Sequence, residues 1–262
     1  MDKSTIGGIV IAVGGIAGGL LIEGGKLAQV IQPTAAMIVL GGTIGAVMIQ
    51  FPLPVVMKAA KKISAVFIEP HHDLKALVVE LVKYANQARK DGIVSLDKEL
   101  PNIKEPFLKK ALMLAVDGTE PEELRGMMEV DLDHTAERDE KIPQVFEAAG
   151  GYAPTVGIIG AVLGLIQVMQ HLDNIEEVGH GIAVAFVATI YGVGFSNLFF
   201  LPAAGKLKIR YHHDHMANEM TLDGVISILE GMNPRMLETK LLGYLEDAKP
   251  SAEAEQAKGA SA

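Results

Sequence analysis

Charged residues are missing from four long stretches of the chain, and these stretches predict its architecture. They cover residues 4–22, 27–57, 148–170 and 181–205. Each can supply the roughly 20 apolar residues with which an α-helix crosses the ~30 Å hydrocarbon core of a bilayer. The pattern therefore predicts an all-α membrane protein with four transmembrane helices, at 4–22, 34–52, 152–171 and 181–203. A signal peptide is the alternative for the first stretch, but no small-residue cleavage site followed by a soluble domain is found.

The basic residues that flank these spans predict the orientation of the chain. One side holds Lys3, Lys58, Lys61, Lys62, Arg138, Lys141, Lys206, Lys208 and Arg210. The opposite loops hold Lys26 as their only Lys or Arg. Because basic residues accumulate on the cytoplasmic side, both termini are expected inside the cell. Residues 53–150 then form a large cytoplasmic insert, and 204–246 form a cytoplasmic tail.

The cytoplasmic insert has a helical pattern. Apolar residues recur at intervals of three and four after Asp73, a plausible N-cap, and Gly92 ends the helix. A second helix is predicted from Pro106 to Gly118 and a third from Pro121, with Pro143 expected to kink or restart the chain before the third span. Residues 206–245 are predicted to be helical. The small, polar segment 247–262 is predicted to be disordered.

Composition excludes several classes of protein. The 262 residues include no cysteine, which rules out disulfides and cysteine-based chemistry. The net charge of −9 argues against nucleic-acid binding. No phosphate-binding loop, nucleophile elbow or zinc-protease motif is present, so an enzyme is not predicted. His212, His215 and Asp214 could bind a metal, but without a second cluster they indicate a solvated helix, and neither metal nor cofactor is expected.

The predicted spans contain small and hydroxylated residues but no buried Asp, Glu, Lys, Arg or His. Ionisable residues usually mark an ion path inside a membrane. If this chain moves ions, a carboxylate must therefore come from another protein. Gly157, Gly160 and Gly164 in the third span predict a close helix-packing surface, either within one chain or also with another subunit.

The sequence resembles a known family at several motifs. "GGYAPTVGIIGAVLGLIQVM" and "GIAVAFVATIYGVGFSNLFFLPAAGKLK" are similar to the third and fourth spans of the MotA/PomA subunit of the bacterial flagellar stator. "ARKDGIVSLDKEL" resembles the charged cytoplasmic segment of that family, and "LDGVISILEGMNPRMLETKLLGYL" resembles its C-terminal signature. The resemblance extends over residues 1–245.

The resemblance implies a torque-generating, ion-conducting subunit in the bacterial inner membrane. In that family a pentamer of such subunits surrounds a dimer of a single-span MotB-type partner, whose aspartate accepts the ion and whose periplasmic domain binds peptidoglycan. Ion passage is thought to turn the pentamer, which drives the rotor through its FliG subunits. An ExbB/TolQ-type energy-transducing subunit is the alternative, as is a passive scaffold or self-contained carrier.

Residues of the ion path are assigned through this resemblance. Pro154 and Pro202 match the functional prolines of the third and fourth spans, Thr189 matches the threonine that lines the path in the fourth span, and Thr155 and Tyr191 offer further hydroxyls. The alternatives are prolines that only shape helix ends and a threonine that only bonds within its own helix. Sodium-driven relatives carry a threonine at the position of Ala161. Because sodium needs several oxygen ligands, the absence of this threonine favours protons over sodium as the transported ion.

Four charged residues match the segment by which the family engages its rotor. Arg89 and Lys90 end the first amphipathic helix of the insert, and Asp97 and Glu99 follow it. Lys98 departs from the pattern because relatives can carry an acid there. A solvated helix face is the alternative interpretation of such a cluster.

Overall fold

The computed structural model describes residues 2–68 and 73–247, and this part of the chain contains no β-strand. The α-helices are α1 Lys3–Ile22, α2 Pro33–Gln50, α3 Leu53–Lys62, α4 Leu74–Asp91, α5 Pro106–Val116, α6 Pro121–Gln170, α7 Ile175–Phe195, α8 Leu201–Leu229 and α9 Pro234–Asp247. Short 3-10 segments lie at Leu27–Val30, Ile63–Phe67, Ile93–Lys98 and Leu100–Asn102, and a π-turn lies at Ser196–Phe200. The predicted all-helical fold is confirmed.

Four of the described helices are long and apolar enough to cross a membrane. They are Lys3–Ile22, Pro33–Gln50, the apolar part of Pro121–Gln170, and the apolar part of the continuous helix Ile175–Leu229. The first two agree with the predicted spans to within two residues, and the other two overlap the predicted spans but extend well beyond them.

The described chain forms two compact units. The first comprises residues 2–68 and Asp139–Ile209, and it contains the four apolar helices. Helix α2 buries Ala35, Val39, Thr43 and Val47, one residue in each turn, and this face packs against α7. Helix α1 buries no residue within the chain. Its start is held instead by the backbone N–H of Asp2, which donates to the carbonyl of Phe67 at 3.0 Å.

The second unit comprises residues 73–138 and 210–247 and has an apolar core of its own. Helices α4 and α9 pack together, joined by α5 and by the parts of α6 and α8 that belong to this unit. The fully buried side chains include Leu81, Leu96, Leu108, Leu112, Leu124, Met128, Met220, Ile226, Leu237 and Leu241.

Local signals explain where the helices of the second unit begin and end. Asp73 caps α4 by accepting a hydrogen bond from the backbone N–H of Lys75, and Gly92 ends the helix with φ +83°. Proline occupies the first position of α5 and α6. An N–H at this position would have no acceptor within the helix, so its absence costs no helical hydrogen bond. The predictions for α4 and α5 therefore agree with the structure.

Of the kink or restart predicted at Pro143, the restart was wrong, whereas the helical structure predicted for 206–245 is confirmed. Helix α6 runs without interruption through Pro143, so the chain does not restart there. The predicted helical segment 206–245 is divided, because Gly231 adopts φ +74° after α8 and α9 begins at Pro234. The predicted disordered tail lies outside the described residues except for Asp247, and so do His71 and His72.

Candidate functional site

The two candidate prolines lie in apolar helices of the first unit. Pro154 lies inside α6, and the helix continues through it. Pro202 is the second residue of α8 and directly follows the π-turn at Ser196–Phe200. In that turn the backbone N–H of Leu201 donates to the carbonyl of Ser196, five residues earlier. A proline ring collides with the carbonyl four residues before it, so a widened turn here accommodates Pro202.

The hydrophobicity pattern did not indicate the π-turn. It adds one residue to a turn without interrupting the apolar run, so hydropathy does not respond to it. Such turns occur frequently at functional sites. The only local signal was Pro202, which marks a possible distortion in the turn before it.

The predicted glycine surface of α6 lies against α7. A methyl group at Gly164 would lie 2.7 Å from the carbonyl oxygen of Gly181, and one at Gly157 would lie 3.0 Å from that of Ala188. A methyl group at Gly160 would lie 2.8 Å from the Cβ of Ala188. The two backbones therefore approach as closely as small residues allow. These three glycines make contacts within one chain, whereas methyl groups at Gly14 and Gly18 of α1 would contact nothing within 4 Å.

The other face of α6 is apolar and exposed. Its exposed side chains include Ile158, Ile159, Val162, Leu163 and Ile166, each about half accessible. An apolar face of this kind requires lipid or another apolar helix around it. Ala161 lies half-buried at its edge.

The hydroxyl groups proposed for the ion path already donate hydrogen bonds to backbone carbonyls. Thr155 is exposed and donates to Tyr152 at 2.8 Å, and Thr189 is half-buried and donates to Ala185 at 3.2 Å. The Tyr191 hydroxyl donates to the carbonyl of Val30 at 2.6 Å and accepts from the N–H of Gln32 at 3.2 Å. Tyr191 thus fastens the α1–α2 connection to α7. The structure does not bring these hydroxyls together around one point.

A polar cluster holds the start of α1 against α8. Asp2 caps α1 by accepting from the N–H of Thr5 at 3.1 Å, and the Lys206 ammonium donates to both the Asp2 carboxylate and the Thr5 hydroxyl. The hydrogen bond from Lys206, reinforced by the one from Thr5, lowers the pKa of the Asp2 carboxyl from 3.8 to about 2. Sequence analysis used Lys206 only as an orientation signal and missed this pair.

A cavity of about 360 Å³ adjoins this cluster. Its lining is mainly apolar and comes from α1, the 3-10 segment Ile63–Phe67, and the chain around Pro202. Asn197 also lines it, with its amide donating to the carbonyl of Val193 at 3.0 Å. Pro202 is therefore exposed to this cavity, with open space around the turn that it distorts.

The four charged residues predicted to contact a rotor lie in the second unit. Arg89 and Lys90 are exposed in the last turn of α4, and Asp97 is exposed in the following 3-10 segment. Glu99 is half-buried, and its carboxylate pairs with the Lys83 ammonium at 2.9 Å. Three of the four are thus presented to solvent, while Glu99 also serves a contact inside the chain.

The described residues contain no group of three or more His, Cys, Asp or Glu side chains that could hold a metal ion. His215 lies 3.4 Å from Glu219, one turn along α8, and His171 lies 3.3 Å from Glu177. These are local ion-pair contacts that form when the histidine is protonated.

The fold and these residues define a class: an all-helical membrane protein whose apolar segments 148–170 and 181–205 contain proline and glycine and no ionisable residue. The sequence matches the MotA/TolQ/ExbB proton channel family over residues 99–220 and the N-terminal region of motility protein A over residues 6–92. The second match distinguishes the chain from the ExbB/TolQ alternative, since it names motility protein A alone.

Full-length relatives agree with these matches. Motility protein A of Bacillus subtilis (strain 168) is 36% identical over 250 residues, which cover 94% of this chain and 91% of the relative. The structure of C. jejuni MotAB has a TM-score of 0.89 at 33% identity, covering 95% of this chain and 98% of that one. The flagellar MotAB stator complex from Bacillus subtilis has a TM-score of 0.86 at 34% identity, covering 96% and 100%. The chain belongs to the MotA/PomA family of flagellar stator subunits.

Membership of this family gives the chain its function. It is an ion-conducting, torque-generating stator subunit of the bacterial flagellar motor, and it acts in a membrane.

Proposed function

We propose that this chain conducts protons only together with a MotB-type partner, whose intramembrane aspartate accepts the ion. The observation that carries the proposal is the absence of Asp, Glu, Lys, Arg and His from residues 181–205 and 148–170. Proton paths across a bilayer are usually marked by a titratable group within it. The two solved structures that resemble this chain are MotAB complexes, which supports a partner of that kind.

Protons are preferred over sodium because few oxygen ligands are available. Ala161 has no side-chain oxygen, and Thr155 and Thr189 each offer only one hydroxyl oxygen. The Tyr191 hydroxyl binds the α1–α2 connection on both its donor and its acceptor side. A hard cation such as sodium binds best to several converging oxygens, whereas a proton needs only the carboxylate and water.

In this proposal Pro154 and Pro202 allow the third and fourth spans to bend as the partner's carboxylate changes charge. A proline removes one backbone hydrogen bond and lowers the resistance of a helix to bending at that point. The widened turn before Pro202 and the cavity beside it leave room for such a movement.

The assembly and orientation of the subunit belong to the same proposal. It forms a pentamer in the bacterial inner membrane, with four spans, both termini in the cytoplasm and residues 53–150 as a cytoplasmic insert. Arg89, Lys90, Asp97 and Glu99 engage the FliG subunits of the rotor through complementary charges. The exposure of the first three supports this role.

The test is dye-reported proton uptake into liposomes in sodium-free buffer. The chain is reconstituted alone, with its partner freed of the plug segment, and with the same partner carrying Asn for its intramembrane Asp. Uptake is expected only with the unaltered partner. Uptake by this chain alone would refute the division of roles between the two proteins. Uptake of sodium in place of protons would refute the choice of ion.

A further inference from the structure

Pro154 leaves one buried carbonyl of α6 without its helical donor. In an α-helix each N–H donates to the carbonyl four residues earlier, and proline has no N–H. The carbonyl that loses its donor is that of Gly150, a buried residue of the first unit. A buried carbonyl without a partner is costly, so the structure must supply a donor from elsewhere.

The donor is the hydroxyl of Ser196. Its Oγ lies 2.6 Å from the carbonyl oxygen of Gly150, and the side chain is 2% exposed. Three other hydroxyls of the spans, those of Thr43, Thr155 and Thr189, donate within their own helices, and the bond from Thr43 to Val39 is also 2.6 Å long. The acceptor of Thr43 keeps its own helical N–H donor, whereas the acceptor of Ser196 has lost it. The hydrogen bond from Ser196 thus replaces the helical hydrogen bond that Pro154 removes.

Ser196 also begins the π-turn that precedes Pro202. Its backbone carbonyl accepts the N–H of Leu201, the residue directly before that proline. Ser196 is therefore linked to both prolines. Its side chain binds the carbonyl whose helical donor Pro154 removes, and its main chain forms the turn before Pro202.

The two helices are in close contact at this point. A methyl group at Gly150 would lie 2.6 Å from Cδ2 of Leu201, and one at Gly192 would lie 3.2 Å from Cα of Pro154. Because the helices are packed this closely, a change of the bend at Pro154 is expected to shift the Ser196–Leu201 turn.

We propose that Ser196 is a positioning residue that couples bending at Pro154 to the turn before Pro202. The inference rests on the proposed function, since it concerns how the two proline-bearing helices move together during ion passage. The coupling element is the hydrogen bond from the Ser196 hydroxyl to the Gly150 carbonyl.

The test is a double-mutant cycle on the thermal stability of the purified full-length complex. Ser196→Ala in the natural background leaves the Gly150 carbonyl unpaired and is expected to lower Tm by about 2–4 °C. Pro154→Ala restores the N–H at position 154, which then donates to Gly150. In that background Ser196→Ala is expected to have little further effect. Equal Tm losses in both backgrounds would overturn the proposal, because the contribution of the hydroxyl to stability would then not depend on the proline.

Thr43→Val provides the matched control. The Thr43 hydroxyl is as buried as that of Ser196, and its hydrogen bond has the same length. Its acceptor, however, keeps its helical N–H donor. The effect of this substitution on Tm is expected to be small and the same in the natural and the Pro154→Ala backgrounds. A coupling between Thr43 and Pro154 as large as that of Ser196 would show that the cycle reports general helix destabilisation, and the proposal would fail.

Torque distinguishes a coupling role from a merely structural one. Ser196→Ala is expected to reduce stall torque about fivefold at unchanged stator assembly, while Ser196→Thr, which keeps the hydroxyl, retains most of it. Unchanged torque in Ser196→Ala would overturn the coupling role. If the unaltered complex conducts no protons, the proposed function fails. The double-mutant cycle on Tm still decides whether the Ser196 hydroxyl replaces the hydrogen bond that Pro154 removes.

Discussion

At the scale of single residues, the clearest effect of burial on chemistry is at Tyr84. Its ring is buried in the core of the second unit, and its hydroxyl donates to Glu80 at 2.6 Å. Burial, and secondly the hydrogen bond to the Glu80 carboxylate, raise the pKa of the Tyr84 phenol well above 10. Both causes favour the neutral phenol, because ionisation would place a second negative charge beside Glu80.

This shift predicts how stability depends on alkaline pH. A phenol whose pKa is raised by folding stabilises the native state fully below pH 10, its value in the unfolded chain, and this contribution is lost as the pH rises above 10. Tyr84→Phe is expected to flatten the fall of Tm with pH in this range. The measurement is helical circular dichroism on heating at a series of pH values. Identical slopes for the two proteins would contradict the assignment.

A second residue, Asp223, joins three helices of the same unit. Its carboxylate lies 2.8 Å from the Lys240 ammonium of α9 and 3.7 Å from the Arg125 guanidinium of α6. The Tyr244 hydroxyl approaches it at 3.5 Å, and burial together with Asp223 raises the pKa of that phenol. Because its side chain is only 19% exposed, Asp223 is less screened by water than its partners are.

Asp223→Asn is expected to lower the free energy of unfolding by about 1 kcal/mol, a value reduced by the partial exposure of both cations. The matched control is Asp131→Asn, because Asp131 pairs with Lys110 at 3.0 Å and both side chains are more than 40% exposed. That variant should change stability by a few tenths of a kcal/mol at most. Denaturant unfolding followed by circular dichroism compares the two. Equal losses of unfolding free energy would show that the ion pairs of Asp223 contribute no more than an exposed surface pair.

At the scale of secondary-structure elements, α6 and α7 pack closely against each other. Their contact depends on residues without bulk, since the carbonyl of Gly181 would lie 2.7 Å from a methyl group at Gly164. Helices in lipid gain little from burying apolar surface, so they rely on close packing of this kind.

Gly164→Ala is expected to destabilise the α6–α7 contact by about 1–3 kcal/mol, because its Cβ would meet backbone atoms, which cannot move aside readily. Gly18→Ala in α1 is the control, since among the described residues nothing beyond the neighbouring backbone of α1 lies within 4 Å of the added methyl group. Thermal aggregation of the detergent-purified chain, monitored by size exclusion, gives the comparison. A Gly164→Ala variant as stable as the natural chain would disprove the tight contact.

The same control answers a further question about α1. If Gly18→Ala leaves the single chain stable but prevents assembly of the complex, another chain packs on that face of α1. If assembly is also unaffected, lipid covers it. The exposure of α1 within the chain makes this outcome informative.

At the scale of the whole molecule, the residues proposed for ion passage and those proposed for rotor contact lie in different compact units. The apolar unit holds the proline-bearing helices, and the second unit holds the exposed charges at Arg89, Lys90 and Asp97. The chain passes between the units within α6 and α8. Changes confined to one unit should therefore affect ion passage and rotor contact separately.

Arg89→Glu is expected to reduce motor torque while leaving proton flux through the complex unchanged, because the side chain is exposed in the second unit. Lys104→Glu, an equally exposed charge reversal in the same unit, should leave both quantities unaltered. Bead rotation measures torque, and liposome uptake measures flux. A parallel loss of flux in Arg89→Glu would contradict a role limited to rotor contact.

Hydropathy and charge in the sequence alone determined the apolar helices, the helical second unit and the lack of ionisable groups in the spans. These properties are local, because each residue contributes its own transfer free energy and each cap signal acts within a turn. The tertiary structure decided that Tyr191 binds the α1–α2 connection, that Lys206 pairs with Asp2, and that the turn before Pro202 widens. It also decided that Ser196 binds Gly150, 46 residues away. A sequence shows that Pro154 frees a carbonyl, but the donor that replaces the lost bond depends on which helix lies beside it.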